Sequence, residues 1–164
     1  MNELFLRVVE AGELPQSLGF SADSLPALIT LGVRSASAEE HQILSIRWDA
    51  MELVRWFLAN KEEILTRKLP EYVPRSSSIA ESISLFYENL GDDQDDLVDD
   101  IFEYRECHEI CFGLRGSRSV PAIYVGLGHC GYEVSIEHPD QYVKFLIDLP
   151  DFYLHLERAF KERL

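Results

Sequence analysis

The chain has 164 residues, with 15 Lys+Arg against 29 Asp+Glu, a net charge of −14 at pH 7. One domain typically takes roughly 150 residues, so residues 1–164 read as a single globular domain. A composition of 46% hydrophobic and 27% charged residues is that of a folded protein and excludes a disordered chain. So acidic a chain is a poor match for the phosphates of nucleic acid or for an anionic membrane surface.

No apolar run approaches the ~18 residues of a membrane span. The opening MNELFLRVVEAGEL has neither the basic start nor the long apolar stretch of a secretion signal. The odd cysteine count (Cys107, Cys111 and Cys130) fits reduced thiols, and the expected location is the cytoplasm.

In chain order, residues 4–9 (LFLRVV) read as a strand, followed by a loop marked by Gly12, Pro15, Gly19 and Pro26. Residues 28–33 (LITLGV) form a second strand, with Gly32 a candidate bulge. Residues 42–48 alternate: Leu44, Ile46 and Trp48 face one side, Ile43, Ser45 and Arg47 the other. Asp49 is placed to cap a helix, with Glu52 three residues on and Leu53, Val54, Phe57, Ile64 and Leu65 at helical spacing. Pro70 and Pro74 end that segment.

Ser78-Ile79-Ala80-Glu81 is a second capping box, and Ile79, Ile83, Phe86, Tyr87 and Leu90 form one apolar face, with Gly91 in the place of a C′ glycine. A third helix is expected from about Asp93 to Arg105, with Leu97, Val98, Ile101, Phe102 and Arg105 inward. Strands follow at 108–114, 122–127 and 132–137, the last two joined as a hairpin by Gly128-His129-Cys130-Gly131. Residues 142–147 read as a strand or as the approach to a helix. Pro150 suits the first turn of a closing helix that turns Leu149, Tyr153, Leu156 and Phe160 inward. Strands, helices, strands and a helix in succession predict an α+β fold: a mainly antiparallel sheet with about four helices packed on it.

The strongest chemical feature is acidic. Between Glu88 and Glu109 stand ten acids and one base, Arg105, so a net −9 of the chain's −14 falls there. Asp92, Asp96, Asp99, Asp100 and Glu103 recur at helical spacing and predict a carboxylate ridge. Like charges at i, i+4 cost a helix a few tenths of a kcal/mol per pair. Acids near the helix start regain part of that from the macrodipole, but Asp99, Asp100 and Glu103 lie beyond its reach.

The ridge is therefore either a solvated face or a docking surface for a basic partner, which it would attract by electrostatic steering. The candidate partner-binding residues are Asp92, Asp93, Asp95, Asp96, Asp99, Asp100, Glu103 and, as an exposed aromatic anchor, Tyr104, with Tyr72 as an alternative anchor. DDQDDLVDD lacks the glycine and glutamate of an EF-hand calcium loop.

Cys107, His108, Cys111, His129 and Cys130 have zinc-compatible donors, but Cys107 and Cys111 flank a strand start rather than a knuckle turn. Buried thiols and polar loop histidines are the simpler reading. Gly126-x-Gly128-x-x-Gly131 sits between two strands, not before a helix, so it is a hairpin and not a dinucleotide loop. No Ser or Cys is patterned with a His for nucleophilic catalysis. No catalytic residue, cofactor or metal ion is expected, and the chain is read as a binding protein rather than an enzyme. A metal-dependent hydrolase using the Cys/His group stands as the alternative, and an acidic nucleic-acid mimic opposing a nuclease as a third reading.

IRWDAMELVRWF (46–57) and FGLRGSRSVPAIYVGLGHCGYEVSI (112–136) resemble small bacterial immunity-type proteins, which are encoded beside polymorphic or contact-dependent toxins. The resemblance covers about Ile46 to Phe160 and rests on core and turn residues, so it carries over no site residue. It implies a cytoplasmic inhibitor that binds and neutralises a cognate toxin domain, typically a nuclease with a basic cleft.

Overall fold

Strand pairing distributes the strands between two antiparallel sheets. A computed structural model describes residues 1–10, 24–91, 94–112, 120–138 and 141–161. Two compact units are distinguished: Met1–Lys61 with Asp148–Leu164, and Glu62–Ile147. The α+β class and the antiparallel pairing are those expected. The antiparallel strands divide into a three-stranded and a four-stranded sheet, and the described residues hold five helices, close to the four expected.

The first unit contains β1 (Glu3–Glu10), β2 (Pro26–Arg34), β3 (Glu40–Asp49), α1 (Ala50–Ala59) and α5 (Leu149–Phe160), with the sheet ordered β1-β2-β3. The period-two pattern does what it predicts. Leu4, Ala27, Ile29, Leu31, Val33, Leu44 and Ile46 are buried, while Leu28, Ser45 and Arg47 on the opposite face are exposed. The register shifts between Leu31 and Gly32, where the bulge was expected. A Cβ at Gly32 would stand 2.5 Å from Phe5 Cζ, so the glycine makes room for the ring that crosses it.

Asp49 caps α1 by accepting from Met51 N at 2.9 Å, one amide earlier than the box predicts, and it also accepts from Leu25 N at 2.8 Å. The helical segment expected to continue until Pro70 is interrupted at Asn60, whose side chain donates to Trp56 O. On α5, Asp148 accepts from Asp151 N, Pro150 lies in the first turn, and the Tyr153 hydroxyl donates to Phe57 O at 3.2 Å.

The second unit contains α2 (Lys61–Thr66, its first residue shared with the boundary), α3 (Ile79–Glu88), α4 (Asp95–His108), β4 (Glu109–Ile110), β5 (Ala122–Gly128), β6 (Gly131–His138) and β7 (Gln141–Leu146). Its sheet runs β4-β5-β6-β7. The β5–β6 hairpin closes at Gly128↔Gly131, and Gly131 adopts φ +124°, open to glycine alone without strain.

Ser78 caps α3 through Glu81 N, while Glu81 reaches back to Ser77 N rather than to Ser78. The helix ends at Glu88 with Asn89 as its cap, so Gly91 is not the helix stop expected. Two partners from the sheet complete the helix start. Glu133 Oε1 on β6 accepts from Ile79 N at 2.7 Å, and Ser135 Oγ accepts from Ala80 N at 3.1 Å. Glu133 is buried, and that burial pushes its carboxyl pKa upward. Ile79, Ala80, Ile83, Tyr104, Ala122 and Tyr124 form one core cluster, and Val73, Phe86 and Ile101 another.

Candidate docking face on the fourth helix

Helix α4 starts at Asp95, after Gln94, which makes no side-chain cap bond. Its first turn instead carries Asp95 and Asp96, and its last carries Arg105, charges favourable to the helix dipole at both ends. The buried stripe is Ile101, Tyr104 and His108, with Leu97 and Val98 half-buried beside it. These positions follow i, i+3/i+4 spacing, so Asp95, Asp96, Asp99, Phe102, Glu103 and Glu106 fall on the outer face and are exposed.

Two expectations are reversed here. Tyr104, expected as a surface anchor, is 0% exposed, and Phe102, expected to face inward, is 45% exposed. The acidic residues around them had drawn the stripe one position out of phase: Tyr104, not Phe102, lies three residues from Ile101 on the buried face. The Tyr104 ring stacks on His108, with centroids 3.9 Å apart and planes 7° apart. His108 Nδ1 donates to Tyr104 O at 2.9 Å, which leaves Nε2 as the unprotonated nitrogen. Burial lowers the His108 pKa to about 4.

The acids of the ridge divide into two groups. Asp100 is half-buried: it pairs with Arg67 at 3.2 Å and accepts from the Tyr72 hydroxyl at 2.7 Å. It is a structural clasp between α4 and the link after α2, and Tyr72, the alternative anchor, is engaged with it. Burial and that carboxylate push the Tyr72 pKa above its ordinary value. Asp95, Asp96, Asp99 and Glu103 have no ion-pair partner among the described residues. Asp92 and Asp93 lie outside the described residues. At the helix end, Arg105 pairs with the buried Glu109 at 2.8 Å and donates to the Tyr87 hydroxyl, so the one base in the acidic block is already used.

Phe102 stands at the margin of this face, beside Asp99 and Glu106 by helical spacing, with the Phe112 ring edge-on at 5.2 Å. A large apolar ring rimmed by carboxylates has the composition of an interface centre with a polar rim. The spacing rule alone, applied from the buried Ile101, would have found it.

The cysteines form no disulfide with one another, and no group of three or more His, Cys, Asp or Glu converges among the described residues. Cys107 is half-buried, and its burial raises the thiol pKa, the reverse of an activated nucleophile. No described helix is long and apolar enough to cross a membrane. Comparison with protein-family models, with curated proteins and with solved structures gave no match.

Proposed function

We propose that this chain is an immunity-type inhibitor that acts in the cytoplasm, docking the outer face of α4 onto the basic surface of a toxin domain, such as a nuclease, and blocking it without chemistry of its own. The observation that carries this reading is the set of exposed, unpaired carboxylates Asp95, Asp96, Asp99 and Glu103 beside the exposed ring of Phe102. Asp99 and Glu103, four residues apart and beyond the first turn, cost the helix stability, whereas all four carboxylates accelerate encounter with a cationic surface. Phe102 takes the anchoring part first assigned to Tyr104, because an aromatic that is buried on binding supplies the short-range energy that long-range attraction does not.

The test pairs the chain with a toxin domain encoded in an adjacent gene. A one-to-one complex is expected, with an association rate that falls by about tenfold or more from low to high salt. Neutralising Asp95, Asp96, Asp99 and Glu103 together to the amides should slow association, and Phe102→Ala should speed dissociation. A neutralised variant that protects toxin-exposed cells as well as wild type removes α4 as the dock. An adjacent gene without any such domain removes the inhibitor reading itself.

A further inference from the structure

A second feature of the same unit is independent of α4. The link after α2, the start of α3 and the β5–β6 turn enclose a cleft of about 430 Å³, within the range of small-molecule sites. Its apolar wall includes Leu69, Val73, Ile79 and Leu127, and three basic side chains line it, Lys68, Arg75 and His129, with one acid, Glu71.

Lys68 and Arg75 are exposed and have no carboxylate within ion-pair distance among the described residues. Arg7, Arg34, Lys61, Arg67 and Arg105 are paired with acids of the chain. Lys68 and Arg75 instead share one cleft without such a partner. Their placement is not loose: the Lys68 backbone forms a parallel bridge with Leu127, beside the turn that carries His129. The Ser78 oxygen accepts from Glu81 N, which leaves its hydroxyl proton for an incoming acceptor.

We propose that this cleft binds a small phosphate monoester with an apolar body, its phosphoryl group held by Lys68, Arg75 and the Ser78 hydroxyl and its body against Leu69, Val73 and Leu127. A phosphate monoester carries close to two negative charges at neutral pH, matching two cations, whereas a carboxylate carries one. The planar fork of Arg and the point charge of Lys are the usual phosphate partners. The first amides of α3 are already occupied by Glu133, Ser135 and Ser78, so the helix start contributes its dipole and no free N–H. Two carboxylates oppose the anion. Glu71 lines the cleft, and Glu133 approaches Gly128 on its wall. Burial favours the neutral form of Glu133, which reduces the repulsion.

The experiment is a titration of the full chain followed by backbone amide NMR, with phenyl phosphate as the probe. Saturable shifts at Lys68, Arg75, Ser78, Gly128 and His129 are expected at millimolar concentration or below, roughly the range of a single small-ligand contact set. Benzoate should bind about tenfold more weakly or worse, and benzyl alcohol should cause no shift. Lys68→Gln with Arg75→Gln should weaken phenyl phosphate by about tenfold or more, and Arg75→Lys should recover part of the loss. Both positions are exposed, so the folded spectrum should survive the substitutions. Absence of saturable shifts at about 10 mM probe, equal binding of benzoate, or unchanged binding by the double variant would each overturn the assignment.

Discussion

Two exposed faces of this molecule treat charge in opposite ways. On the outer face of the first sheet, Arg7 meets Glu40 at 3.0 Å, and Arg34 meets Glu3 and Glu40 at 2.8 and 2.9 Å. The two guanidinium groups also lie over the Phe5 ring, at 5.1 and 5.2 Å from its centroid. On the outer face of α4, four acids have no such partner and Phe102 has no cation over it among the described residues. Both faces combine an aromatic ring with carboxylates. One is closed on itself and the other is left open. A charged surface is thus informative less by its composition than by whether its charges are satisfied within the chain.

The two aromatics should separate these regions by the largest margin. Phe5→Ala removes a ring that covers Gly32 and seats two arginines, and it should cost about 2 kcal/mol of unfolding free energy. Phe102→Ala gives up only the edge contact with Phe112 and should cost about 1 kcal/mol or less in the isolated chain. Urea unfolding of both variants checks this, and equal losses would show that the α4 ring is as closed as the sheet ring.

The buried side of α4 gives the next contrast, through pH. His108 is held at about 4 in the folded chain and returns to about 6.5 when unfolded. Its contribution is therefore fully present above pH 6.5 and is lost as pH falls from there through 4. Glu133 works against this: its raised pKa makes stability fall as pH rises just above 4.5. Comparing His108→Leu with wild type isolates the histidine, and the variant should show a flatter acid limb in denaturation midpoints. An unchanged limb would remove His108 as its source.

The smallest effects differ in sign. Arg34→Gln breaks two ion pairs and should lower the melting temperature, whereas Asp99→Asn with Glu103→Gln relieves an i, i+4 repulsion and should raise it. Both changes should shrink in about 1 M salt, where the screening length is ~3 Å. A fall in melting temperature for the α4 pair would mean that its acids have stabilising partners after all.

Local signals were legible in the sequence, and distant ones were not. The period-two pattern placed Leu44 and Ile46 inside, Asp49 and Ser78 were recognisable as caps, and the glycine-bounded turn located the β5–β6 hairpin. Each of these is decided within about four residues. Phe102 and Tyr104 were exchanged because an acidic helix with a low apolar content gives a weak phase. Asp100 reads like its neighbours, and only Arg67 and Tyr72, 33 and 28 residues away, distinguish it. The cleft cations are likewise unremarkable until folding brings residues 68–75 to the turn at 128–129.

The Glu133–Ile79 hydrogen bond spans 54 positions. On the ribosome, α3 is made first, and its opening turn then lacks the carboxylate and hydroxyl that hold it against the sheet. Completion of that helix must await synthesis and pairing of β6, so a nascent chain halted before Glu133 would carry a frayed α3 open to proteolysis near Ser78.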